Sequence, residues 1–162
     1  VADLGGSKPV KDIAALVLSI MVVAGAATFG AIFTPGEWYA GLTKPGWNPP
    51  NWLFGPVWSL LYLMMAVAAW LVWRQRGRQR VRAPLCVYGF QLVLNALWSW
   101  LFFGLHRMGL ALAEILLLAV MILATIVLFW RVSRAAGLLL VPYLAWVSFA
   151  AFLNFTLLRL NV

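Results

Sequence analysis

Of 162 residues, 65% are hydrophobic, 10% are charged, and the mean hydropathy is +0.95. A water-soluble domain carries about 25% charged residues, so twelve basic and four acidic side chains cannot clothe a water-facing surface, and lipid must be the main solvent. The formal charge of +8 does not mark a nucleic-acid binder, because the cations fill short gaps between apolar runs, where membrane topology places them.

A helix needs about 20 apolar residues to cross a hydrocarbon core of about 30 Å. Five stretches meet that length, predicting helices over residues 13–33, 52–73, 83–104, 109–130 and 137–158. The fold class expected is an all-α integral membrane bundle, residues 1–162 forming one domain. Helices are required because each backbone N–H and C=O must be satisfied away from water, and the alternation of a membrane barrel strand is absent. The first stretch lacks a small-residue cleavage pattern and reads as a true span rather than a signal peptide. The single cysteine, Cys86, excludes an intrachain disulfide.

One connection is long. Residues 34–51 hold Trp38, Tyr39 and Trp47 with Pro35, Pro45, Pro49 and Pro50. Prolines restrict the backbone and aromatics give it surface to bury, so this segment is expected to form a stiff lid on the bundle. The N-terminal flank and the second and fourth connections carry Lys8, Lys11, Arg74, Arg76, Arg78, Arg80, Arg82, Arg131 and Arg134; the opposite face carries Lys44, Arg107 and Arg159. The positive-inside rule then sets the N-terminus in the cytoplasm and the C-terminus outside. A bacterial cell membrane is the expected location, with an outer membrane as the alternative. The run from Arg74 to Arg82 reads as a topology anchor, with an anionic-lipid site as the sharper reading.

Polar residues within apolar spans mark the bundle interior. In the third span Gln91, Asn95 and Ser99 share one face, with Trp98 and Phe102 beside them; in the fifth, Trp146, Ala150 and Asn154 do the same, near Tyr143 and Phe149. Trp58 and Tyr62 stand one turn apart in the second. At about 1.5 Å per residue, Trp58, Trp98 and Asn154 lie roughly 8–9 Å below the less basic face. Tyr62, Asn95 and Ala150 lie roughly 13–15 Å down, and Trp146 about 18–20 Å. Interfacial belts account for Trp70, Trp73, Trp100 and Trp130 at helix ends, but not for Trp146. Two readings fit the set: polar glue with aromatic filling, or an apolar, aromatic cavity with a few convergent polar groups. Ala150 among bulky aromatics would leave room for a ligand.

Other chemistry is sparse. Glu114 is an intramembrane acid near a helix start, placed either to serve a site or to snorkel to the interface. His106 has no cysteine or second histidine with which to form a metal site. No paired carboxylates or Ser–His–acid set is present. Ala26 and Gly30, at small-xxx-small spacing, permit close helix packing within the bundle or between protomers.

The segment WYAGLTKPGWNPPNWLFGPVWSLLY, from Trp38 to Tyr62, strongly resembles the TspO/MBR family, the tryptophan-rich sensory proteins and translocator proteins that include the peripheral-type benzodiazepine receptor. QLVLNALWSWLFFG in the third span and LLVPYLAWVSFAAFLN in the fifth match the same family in order and spacing. The resemblance implies five tightly packed helices, often dimeric, and a pocket closed by the first loop. It implies porphyrins (protoporphyrin IX or haem), haem-pathway intermediates and benzodiazepine-site compounds as ligands, with sterols bound by some members and no cofactor required. Carried over, the pocket comprises Trp38, Tyr39, Pro49, Trp58, Tyr62, Asn95, Trp98, Ser99, Trp146 and Ala150. The sterol-recognition pattern of animal members is broken here: Leu153 and Arg159 are present, but Phe155 stands where an aromatic hydroxyl is wanted. A porphyrin is therefore the expected ligand, its carboxylates reaching a mouth near Lys44, His106 and Arg107.

Three function classes follow. The first is a receptor, sensor or transport-associated protein for tetrapyrroles. The second, implied by the resemblance, is light- or oxygen-dependent porphyrin breakdown with Trp58 and Trp146 as redox partners, its chemistry borrowed from the ligand. The third is a porphyrin or sterol transporter, for which the spans supply only Glu114 as an ionisable group.

Overall fold

The computed structural model describes residues 7–162, with side chains from Val10 onward; Lys8, counted above among the cations, lies outside the described side chains. The chain is all-α, and no strand occurs among the described residues. The elements are α1 (Ser7–Ile32), α2 (Glu37–Ala40), α3 (Asn51–Trp73), α4 (Arg82–Ser99) continued by a π turn (Trp100–Gly104), α5 (Met108–Val132), α6 (Arg134–Leu139) and α7 (Val141–Asn161). Five spans, Val10–Ile32, Asn51–Trp73, Arg82–Gly104, Met108–Val132 and Arg134–Asn161, are long and apolar enough to cross a bilayer, which makes this a multi-pass membrane protein.

The expected spans are all present, with three differences. α1 is described from Ser7, earlier than residue 13, and ends at Ile32. The third span finishes in a π turn, in which Leu105 N–H donates to the Trp100 carbonyl at 2.8 Å; such widened turns gather at functional positions. The fifth span is two helices rather than one over 137–158. Pro142 has no N–H to bond the Leu138 carbonyl, and its ring would collide with that carbonyl. The helix therefore closes at Leu140 and restarts with Pro142 in the first turn of α7, where proline is tolerated. Ser133 caps α6, its Oγ accepting from Ala136 N–H. A Cβ on Gly137 would meet Trp130 Cα and Cβ at 3.1 Å, so glycine is what lets α6 fold back onto the end of α5.

α5 packs on α4 and α7, while α1 rests on α3 and α4. The core is a zip of Met65, Ala68, Val72, Leu118, Ile122 and Phe129, all fully buried. The outside is as apolar as the inside: Leu18, Met21, Leu117, Val120 and Phe152 are all exposed. In water such a surface would drive aggregation; in lipid it is the required solvent contact. Trp73, Trp100 and Trp130 are partly exposed at span ends, as an interfacial belt demands. Trp70 differs. Its indole N–H donates to the Asp12 carbonyl at 2.8 Å and ties α3 to α1.

Candidate ligand cavity

A cavity of about 430 Å³ opens in the half of the bundle beneath the 34–51 segment, within the range of small-molecule sites. Its walls come from α1, α3, α4 with its π turn, and α7, and among the described residues no ionisable acid or base other than tyrosine lines it. Eight of the ten residues singled out from the sequence border it: Tyr39, Trp58, Tyr62, Asn95, Trp98, Ser99, Trp146 and Ala150. The tryptophans are held by aromatic neighbours in the same wall. Trp98 stacks on Phe102 at 5.1 Å, Trp58 lies tilted over Tyr62 at 5.3 Å, and Trp146 meets Phe54 edge-on at 5.8 Å. Offset and edge geometries of this kind hold ring planes in place, so the indoles form fixed walls.

One edge of the cavity is polar. Tyr62 OH donates to Asn95 Oδ1 at 2.8 Å, Asn95 Nδ2 donates to Tyr143 OH at 3.0 Å, and Tyr143 OH donates to Gln91 Oε1 at 3.0 Å. Tyr62 and Asn95 touch the cavity; Tyr143 and Gln91 stand behind them, fully buried. An amide side chain has two donors and two acceptor positions, and Asn95 spends one of each here. It keeps one of each for a ligand. Asn154 is different: it accepts from Trp98 Nε1 at 3.3 Å and donates to the Met108 carbonyl at 3.0 Å, fixing Trp98 and joining α7 to the start of α5.

The 34–51 segment is a folded cap containing the helical turn α2. Tyr39 points inward and is buried, its OH donating to Asn48 Oδ1 at 3.2 Å; burial pushes its phenol above the usual range, opposed by that bond, so it stays neutral at physiological pH. Trp38 does not border the cavity. It stacks on His106 with centroids 4.2 Å apart and meets Phe102 edge-on, one layer behind the wall. There it braces His106, whose φ of 54° is costly for a residue with a Cβ. Pro49 also stays off the cavity, its carbonyl accepting from Asn48 Nδ2. Composition marked this segment as aromatic and stiff but could not tell which rings turn inward.

The cap is pinned to α7 by Asn161, which accepts Thr43 N–H at 2.8 Å and donates to the Thr43 carbonyl at 3.0 Å. Both backbone groups of one lid residue thus depend on one side chain. Asn161→Ala is expected to raise amide hydrogen exchange across residues 41–48 by roughly five- to 150-fold, on net values of about 0.5–1.5 kcal/mol for each of the two bonds. Exchange within α5 should stay unchanged. Equal protection of the cap in both proteins would show that Asn161 does not hold it.

The remaining expectations resolve differently. Lys44 and His106 do not line the mouth: Lys44 Nζ donates to the Ala40 and Leu42 carbonyls and lies 4.7 Å from the Tyr39 ring centroid, and His106 is taken up by Trp38. Arg107 also lies off the cavity wall. The sterol-like residues do not share a face, since Leu153 is buried on the cavity while Phe155 and Arg159 point outward. Glu114 does not snorkel; it is buried, and neither carboxyl oxygen has a hydrogen-bond partner among the described residues.

The α1 wall was not foreseen. Ala27, Gly30 and Ala31 border the cavity, and Gly30 brings α1 so close to α4 that a Cβ there would lie 3.3 Å from Ser99 Oγ. Small residues there had signalled only helix contact. Phe102 and Phe103 both border the cavity because the π turn carries them.

Comparison with known proteins agrees with this architecture. The family model of the TspO/MBR family matches residues 17–160. The tryptophan-rich protein TspO of Chlorobaculum tepidum is 44% identical over 158 residues, covering 93% of this chain and 98% of that protein. The tryptophan-rich sensory protein of Cereibacter sphaeroides is 43% identical over 148 residues, 91% of this chain and 92% of its own length. The human translocator protein is 44% identical over 137 residues, 82% of this chain and 81% of that protein. The family model reaches from within the first span to the last turn of α7, past every wall of the cavity, and on it and on identity at this level the chain belongs to the TspO/MBR family.

Proposed function

We propose that this protein is a membrane receptor or sensor, or a transport-associated protein, that binds porphyrins of the haem pathway in the α1–α3–α4–α7 cavity, with benzodiazepine-site compounds competing for the same space. Family membership supports the sensing or transport-associated role, since relatives carry the names sensory protein and translocator protein. The observation that carries the ligand class is the wall itself: Trp58, Trp98 and Trp146 around a space without an acid or base other than tyrosine, and one amide edge at Asn95. A flat conjugated ring gains from indole faces. Ionised carboxylates cannot follow it in without a partner, so they stay at the rim beside Thr34 and Asn51.

The test is a titration of the detergent-solubilised protein with protoporphyrin IX, read as quenching of tryptophan fluorescence. Saturable quenching that a benzodiazepine-site compound reverses is expected. Quenching that rises linearly and resists competition would mean adsorption to the micelle, and the reading would fall. Light- or oxygen-dependent breakdown is the second reading, favoured by Trp58 and Trp146 both bordering the cavity. It requires porphyrin absorbance to decay faster with the protein than with a Trp58→Phe, Trp146→Phe variant.

A further inference from the structure

At the opposite end of α1 a second hollow, of about 450 Å³, runs along the seam of α1, α3 and α4. We propose that it holds one phospholipid with an anionic headgroup, drawn from the more basic leaflet: an acyl chain in the groove and the phosphate at its cationic rim.

The groove has the form of a chain slot. Lys11, Ala14, Leu18 and Val22 follow one stripe of α1, with Ala15 and Ser19 beside them, facing Leu85 and Tyr88 of α4 across Ala69 of α3. From Lys11 to Val22 the stripe runs about 16 Å at 1.5 Å per residue, against about 15 Å for one leaflet of a 30 Å core. The slot therefore spans one leaflet. The hydroxyls that line it among the described residues are engaged internally: Ser19 Oγ donates to the Ala15 carbonyl at 2.9 Å, and Tyr88 OH donates to the Met65 carbonyl at 3.1 Å. What remains along the groove is hydrocarbon and the Trp73 ring, with alanines leaving the width.

The charge lies at one end only. Lys11 and Arg76 line the mouth, with Arg74 beside them. Asp12 is the acid among them, bonded to Arg76 Nη1 at 3.3 Å and Arg74 Nε at 3.5 Å. Among the described residues, three cations against one anion leave two positive charges where a chain in the slot would place its phosphate. Arg74 and Arg76 are further held over Trp70 and Trp73, at 4.8 and 4.9 Å, so the rim is ordered before any lipid arrives. The positive-inside rule sets this end in a leaflet that is anionic in many membranes, so charge and depth agree on the same occupant.

Native mass spectrometry of the whole protein with dioleoyl phosphatidylglycerol or dioleoyl phosphatidylcholine tests this. One phosphatidylglycerol should stay bound under conditions that strip phosphatidylcholine. Lys11→Ala with Arg76→Ala should cut its retention by about five- to thirtyfold, from roughly a fivefold effect per cation. Arg131→Ala with Arg134→Ala, the same charge loss on the same face away from the groove, should leave it unchanged. Ala14→Trp, at an exposed position on the groove wall, should abolish retention by filling the slot while all charges remain. The proposal is overturned if both lipids are held equally, or if the Arg131/Arg134 variant loses as much as the Lys11/Arg76 variant. It is equally overturned if glycerol phosphate alone displaces the lipid, or if Ala14→Trp alters oligomer size instead of lipid retention, which would make a second chain the occupant. Protoporphyrin titration of each variant, reading the distant cavity, reports whether the bundle is folded.

Discussion

Ala150→Leu is expected to weaken protoporphyrin binding by at least tenfold while leaving the protein at least as stable as the parent. Ala150 sits on α7 one turn from both Trp146 and Asn154; it packs on the edge of the core cluster and borders the cavity. The added carbons would occupy space the ligand needs, and a tenfold loss corresponds to only about 1.4 kcal/mol. On the cavity side they extend into open volume, so the usual penalty of about 1–3 kcal/mol for overpacking a filled core is largely avoided. Each buried methylene gains about 0.8 kcal/mol of transfer from water, and less from lipid. Val147→Phe is the contrast. Val147 is fully buried against the core cluster, so enlarging it should lower the unfolding temperature. Full-strength porphyrin binding by Ala150→Leu would place the ligand elsewhere.

That prediction rests on a site only partly visible in the sequence. The spans were legible because lipid imposes length and apolarity on each one separately, whatever it packs against. Asn95, Trp98 and Trp146 were legible for a related reason: an amide, or an indole far from the interface, is costly on a lipid-facing surface and must turn inward. Ala27 and Gly30 carried no such signal, because a small apolar residue is equally at home against lipid, another helix or an empty space. Trp38 misled because in a loop depth no longer constrains direction, and the ring stacks on His106 instead. The break at Leu140 was encoded in Pro142, yet hydropathy continues unbroken across it. The π turn has no proline or glycine before Gly104 to announce it, so the placement of Phe102 and Phe103 emerges only from tertiary packing.

Asn95→Leu is expected to have the largest effect on stability of any single change at the cavity, lowering it by about 1–3 kcal/mol. The side chain links the Tyr62 and Tyr143 hydroxyls, accepting from one and donating to the other. Its loss leaves Tyr62 OH without an acceptor, and a buried polar group left unpaired costs about 1–3 kcal/mol. Interhelical bonds in membranes average nearer 0.6 kcal/mol, about 1.7 at most, which puts the two lost bonds within the same span. For a chain of this length each kcal/mol moves the unfolding midpoint by roughly 2–4 °C, so a drop of about 2–12 °C is the measurable result. Tyr62→Phe should cost less, because Asn95 then keeps its bond to Tyr143, and the orphaned amide oxygen faces the cavity, where a ligand donor can reach it. The two substitutions together should cost less than their sum, since each removes the same hydrogen bond. Strict additivity would mean that Tyr62 and Asn95 do not act as a pair. The polar edge would then be two separate contacts, and its influence on ligand orientation would have to come from Asn95 alone.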